Sequence, residues 1–71
     1  MNDSETRIKD RINYLLPNLN ERQRRLYLGA EAKTYGYGGV SVVSRLSKVS
    51  RPTITQGIKD IGSTIESLPR S

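Results

Sequence analysis

Ile8, Ile12, Leu15 and Leu16 recur at i, i+4, i+7 and i+8, so residues 4–16 predict a helix with one apolar stripe. Ser4 is the expected N-cap, and Glu5 in the first turn sets a carboxylate against the positive end of the helix dipole. Pro17 closes the segment, because proline disfavours the α conformation in the residue before it. Asn20 followed by Gln23 has capping-box spacing, and strong helix formers continue to Tyr35, which predicts a second helix over 20–35. Leu26 and Ala30, joined by Leu28, Ala32 and Tyr35, are expected on its buried side. Gly36 stands where helices favour a terminating glycine, and Tyr35-Gly36-Tyr37-Gly38-Gly39 reads as a loop.

The second half of the chain changes character. Residues 40–46 are short and apolar, and the valines leave a strand reading open beside the helical one. A turn at Ser47-Lys48-Val49 follows, then Ser50 as a strong N-cap, with Pro52 in a first turn where its missing N–H costs nothing. Ile54, Ile58 and Ile61 then repeat at helical spacing, so a helix over 50–61 is expected. Ile65 and Leu68 continue the 4-3-4-3 stepping as a short coiled-coil seam over 54–68. Gly57 and Gly62 each lower helix stability by about 1 kcal/mol, so residues 62–71 are expected to fray. The whole pattern predicts one all-α domain over 1–71, four helices in which two leading helices brace a helix-turn-helix.

The stretch from Val43 to Ile54 carries the chemistry. A short helix, a tight turn and a serine-capped second helix form the layout that places a recognition helix in the DNA major groove. Ser44 is small where the two helices cross, Val49 plugs the gap beneath the turn, and Ile54 and Ile58 hold the second helix inward. That leaves Arg51, Pro52, Thr55, Gln56 and Lys59 on the free face. Arginine pairs bidentately with guanine and glutamine with adenine, while the Ser50 and Thr53 hydroxyls suit phosphate oxygens. Arg45 and Lys48 complete the candidate DNA-binding set.

Charge supports the same half of the chain. Twelve Lys and Arg against seven Asp and Glu give +5, and a pI near 10.0. The excess is concentrated: between residues 36 and 61, Arg45, Lys48, Arg51 and Lys59 are opposed by Asp60 alone, which gives +3; residues 21–35 supply the other +2, and residues 1–20 and 62–71 are each balanced. A positive face of this kind favours a polyanion. Arg22, Arg24 and Arg25 are spread around their helix and read as a solvated face, and Tyr35 and Tyr37 as cover for the core edge or as stacking partners for bases.

Other classes are disfavoured. There is no cysteine and no histidine, which removes thiolate chemistry and the commonest general base and transition-metal ligand. No aliphatic run exceeds two residues, and the acidic start Met1-Asn2-Asp3-Ser4-Glu5 is unlike a secretory signal, so a cytoplasmic protein with no membrane span is expected. No cofactor, metal or small-molecule substrate is implied, and no nucleophile–base pair suggests an enzyme. The alternative reading is a dimerisation module that uses the 54–68 seam.

The segments Leu19-Asn20-Glu21-Arg22-Gln23-Arg24-Arg25-Leu26, Ala30-Glu31-Ala32, Tyr37-Gly38-Gly39-Val40-Ser41-Val42-Val43-Ser44-Arg45, Val49-Ser50-Arg51-Pro52-Thr53-Ile54 and Gly57-Ile58-Lys59 follow one another over residues 17–61. In this order and spacing the chain resembles the N-terminal region of bacterial insertion-sequence transposases of the ISAzo type. The resemblance implies a bacterial, nucleoid-associated protein whose region recognises double-stranded DNA at the element's ends ahead of a DDE-type nuclease domain. By position, Ser50, Arg51, Pro52, Thr53 and Gln56 would open the recognition helix. The family's three catalytic carboxylates belong to that nuclease domain, and none of the acidic residues here corresponds to them. The glycine common in such turns is Lys48 in this chain, a cost of about 1 kcal/mol if the position needs a positive φ.

Overall fold

The computed structural model describes the backbone of residues 2–67 and the side chains of residues 2–62. Helix α1 spans Asp3–Leu15 and passes into a single 3-10 turn, Leu16–Asn18; α2 spans Glu21–Tyr35, α3 Gly39–Ser47 and α4 Arg51–Ser67. The described residues form no strand, so the architecture is all-α and residues 40–46 are helical. The N-cap of α1 is Asn2 rather than Ser4: its Oδ1 accepts from the Glu5 N–H at 2.8 Å. This start puts both Asp3 and Glu5 in the first turn against the dipole, whereas a start at Ser4 would leave Asp3 outside it. Pro17 does end the α conformation, but the chain tightens into a 3-10 turn instead of leaving the helix at once.

Asn20 and Gln23 form the expected capping box, with both reciprocal hydrogen bonds at 2.8 and 2.9 Å. At the other end Gly36 terminates α2 with φ +91°. The buried side of α2 departs from expectation: Leu28, Gly29, Glu31 and Ala32 are buried, Leu26 is half-buried and Ala30 is exposed. The reason is that α2 is covered on more than one side. Arg25 and Gly29 meet α4, Ala32 meets α3, and Tyr27 and Glu31 turn towards α1.

Two of these contacts are backbone against backbone. A Cβ on Gly57 would lie 2.1 Å from the Arg25 carbonyl oxygen, and one on Gly29 would lie 2.5 Å from the Gly57 carbonyl carbon. A Cβ on Gly39 would lie 2.1 Å from the Ala32 carbonyl oxygen. Gly57 therefore weakens α4 in isolation but permits a close backbone approach of α4 to α2. Around these crossings Ile8, Ile12, Leu28, Ala32, Val43 and Ile54 make one core, edged by Leu16, Tyr27, Tyr35, Val40, Leu46, Val49 and Ile58. Helix α4 also runs on to Ser67, so residues 62–67 are helical rather than frayed; the rest of the expected tail lies outside the described residues.

One polar cluster sits at the edge of this core. Arg11 grips Glu31 with two hydrogen bonds, Nε to Oε2 at 2.6 Å and Nη2 to Oε1 at 2.9 Å, and the Tyr27 hydroxyl donates to the same Oε2 at 2.7 Å. Burial alone would raise the Glu31 pKa, but the hydrogen bonds from Arg11 and Tyr27 outweigh it and hold the carboxyl below its ordinary value. Burial and Glu31 push the Tyr27 phenol up.

Two outcomes test this packing. Gly57→Ala drives a methyl into the α2 backbone, which no side-chain rotation relieves, and should destabilise the fold by about 3 kcal/mol or more in urea unfolding. Glu31→Gln should cost about 1–2 kcal/mol at neutral pH, the smaller end of a charged hydrogen-bond loss because Arg11 is half exposed to solvent. A carboxyl whose pKa is lowered on folding stabilises above its unfolded value and stops doing so as the pH falls through the folded one. The difference between parent and Glu31→Gln stability should therefore shrink as the pH drops below 4.5.

Candidate nucleic-acid interface

The turn between α3 and α4 is held by its serines. The Lys48 N–H donates to the Ser44 carbonyl at 2.9 Å, and the Ser44 hydroxyl reaches past it to the Val49 carbonyl at 2.6 Å. Ser47 donates its hydroxyl to the Val43 carbonyl at 2.6 Å and accepts from the Val49 N–H at 3.2 Å. Ser44 is thus more than a small residue at a crossing; its hydroxyl satisfies a carbonyl of the turn. Val49 packs on the core edge as expected.

Lys48 is the single non-glycine residue with positive φ among the described residues, at +61°. This left-handed conformation reverses the chain in the space between two helices. The turn keeps the geometry that glycine would favour, so lysine carries the strain and leaves its ammonium group on an exposed residue.

Helix α4 begins immediately beyond. The Ser50 carbonyl accepts its first helical bond from the Ile54 N–H at 3.2 Å, and the Ser50 and Thr53 hydroxyls share a hydrogen bond at 2.8 Å. Ile54 is fully buried, Gly57 is buried and Ile58 half-buried, so this line faces inward. Arg51, Pro52, Thr55, Gln56 and Lys59 are all exposed, and Thr53 is half-buried. Those five exposed positions and Ser50 share one continuous outward surface, the arrangement expected from the spacing.

Arg45 stands apart. It lies on α3 and forms an ion pair with Glu5 of α1, so part of its charge is answered inside the fold. Arg25 reaches Asp60 of α4 at 3.4 Å, and Arg24 donates to the Leu16 carbonyl at 2.8 Å, which makes both of them struts rather than a purely solvated face. Among the described residues the three ion pairs use Arg11, Arg25 and Arg45. Lys48, Arg51 and Lys59 take part in none of them.

One basic residue escaped the sequence reading. Lys9 lines the same open groove as Leu46, Ser47 and Lys48, between α1 and the turn. Its segment is charge-balanced in sequence, but Glu5 of that segment pairs with Arg45 of α3. Tyr35 does cover the core edge, whereas Tyr37 is fully exposed in the loop before α3. No helix among the described residues is long and apolar enough to cross a membrane, and no group of three or more Asp or Glu in them could hold a metal ion.

Lys48→Gly should raise stability by about 0.5–1 kcal/mol in thermal unfolding, because relief of the left-handed strain exceeds the added freedom of the unfolded chain. An unchanged or lower midpoint would mean that the lysine stem packs well enough to offset its backbone cost.

Comparison of the chain with protein-family models, with curated proteins and with solved structures returns no match.

Proposed function

We propose that this chain binds double-stranded DNA with sequence preference, by setting the leading turns of α4 into the major groove. The observation that carries the reading is the two-sidedness of α4: Ile54 and Gly57 are buried against the body, while Arg51, Pro52, Thr55, Gln56 and Lys59 are exposed on the opposite side. A helix held this way after a tight turn can enter a groove about 12 Å wide without unpacking. Ser50 and Lys48 at its start, with Lys9 beside the turn, suit phosphates on the flank, and Arg51 and Gln56 suit base edges. The resemblance to ISAzo-type transposases supports the same role, recognition of a mobile element's ends by a bacterial, nucleoid-associated protein whose DNA cleavage would reside in another domain. Arg45 contributes least, because Glu5 already shares its charge.

The second reading, dimerisation through residues 54–68, is favoured by one observation: α4 extends past the buried Ile54 and Gly57 to Ser67. Ile54 is spent on the core, so such a seam would begin at Ile58 or Ile61. The side chains of Ile65 and Leu68 lie outside the described residues. A concentration-dependent dimer in analytical ultracentrifugation, lost on Ile65→Asp, would support it.

An amide NMR titration with mixed duplex DNA should shift signals from Lys48 through Lys59 first, and shifts confined elsewhere would contradict the proposed face. On a duplex selected for tight binding, Arg51→Ala should cost about 1–3 kcal/mol, mostly as lost sequence preference. Lys48→Gln should weaken all duplexes alike and flatten the dependence of log affinity on log salt by about one unit. Binding indifferent to both substitutions and to salt would overturn the proposal.

A further inference from the structure

Gln56 is exposed on α4, and its side chain is tethered. Its Nε2 donates to Asp60 Oδ1 at 2.9 Å, one helical turn further on, and Asp60 Oδ2 in turn accepts from Arg25 Nε of α2 at 3.4 Å. Asp60 is half-buried at the flank where α4 packs on α2, so the carboxylate is anchored from a second helix while it holds the glutamine. Its hydrogen bond from Gln56, helped by Arg25, keeps its carboxyl below the ordinary aspartate value, and it is ionised at neutral pH.

Resting on the DNA reading above, we propose that Asp60 is a positioning residue for base recognition, which fixes Gln56 so that it reads adenine. An ionised carboxylate can only accept hydrogen bonds, so the amide nitrogen of Gln56, never its oxygen, turns towards Asp60. One N–H is thereby used. The remaining N–H and the Oε1 oxygen are presented together, a donor beside an acceptor. That pair matches the adenine edge in the major groove, where N7 accepts and the N6 amino group donates. A glutamine without this partner can rotate its amide by half a turn and lose the distinction between donor and acceptor sides. Asp60 also places a negative charge near the DNA surface, an electrostatic disadvantage for affinity that a selectivity role accounts for.

The test uses the full chain and a pool of duplexes with a randomised central segment, sequenced before and after binding. The parent protein should select a motif in which one adenine depends on Gln56, disappearing in Gln56→Ala. In Asp60→Ala and in the near-isosteric Asp60→Asn, preference for adenine at that position should fall about fivefold or more relative to the other bases. Preferences at the remaining positions should stay within about twofold, while overall affinity rises slightly from the removed negative charge. Because the readout is a ratio between bases at one position, a general weakening of the fold does not imitate it. If both Asp60 variants keep the parent's adenine preference while Gln56→Ala loses it, the positioning role is overturned and DNA reading stands. If no position depends on Gln56, the role is likewise overturned. A parent protein that selects no motif removes the DNA reading itself, and this inference with it.

Discussion

Helices α2 and α4 touch backbone to backbone, and that contact sets which face α4 turns to solvent. Two glycines, Gly29 and Gly57, leave no room for a Cβ on either side of the crossing. The approach fixes the rotation of α4 about its own axis, which sends Ile54 into the core and the polar residues of its leading turns outward. Gly39 repeats the device at the start of α3, against the Ala32 carbonyl. Both helices of the helix-turn-helix therefore rest on one platform, α2. The arrangement depends on steric exclusion more than on attraction, and so it tolerates little variation in register.

Polar interactions refine this frame. The Arg11–Glu31–Tyr27 cluster and the Arg45–Glu5 pair tie α1 to α2 and to α3. Partly exposed ion pairs contribute little net stability, but they consume charge selectively. Arginines 11, 25 and 45 are answered by carboxylates within the fold, while Lys48, Arg51 and Lys59 remain turned to solvent. The turn and the outward side of α4 thus carry three exposed cations that none of the ion pairs among the described residues uses.

The turn itself shows local strain held by local hydrogen bonds. Lys48 occupies a left-handed conformation at +61°, and the Ser44 and Ser47 hydroxyls satisfy backbone groups on both sides of it. A lysine in this place exchanges a little stability for a cation at the tip of the turn, beside the start of α4.

Much of the fold was legible in the sequence, because the signals were local. Isoleucines at helical spacing, the Asn20–Gln23 capping box, the terminating Gly36 and the serine and proline at the start of α4 each act within one or two turns of chain. Competition between neighbouring caps decided Asn2 over Ser4, a balance between residues of nearly equal capping strength. The outward set on α4 was legible too, since burial of Ile54 and Ile58 leaves only one face free. What the chain alone did not reveal is the meaning of its glycines, of Glu31 and of Asp60. Gly57 reads in sequence as a weakness and in space as the seat of another helix; Glu31 stands in sequence between two alanines and is buried against an arginine twenty residues away; Asp60 reads as a lone negative charge and holds Gln56 while leaning on Arg25. Those roles arise between elements distant in sequence, where backbone proximity and carboxylate–arginine pairing depend on how helices cross, and no spacing along one helix encodes the angle of the next.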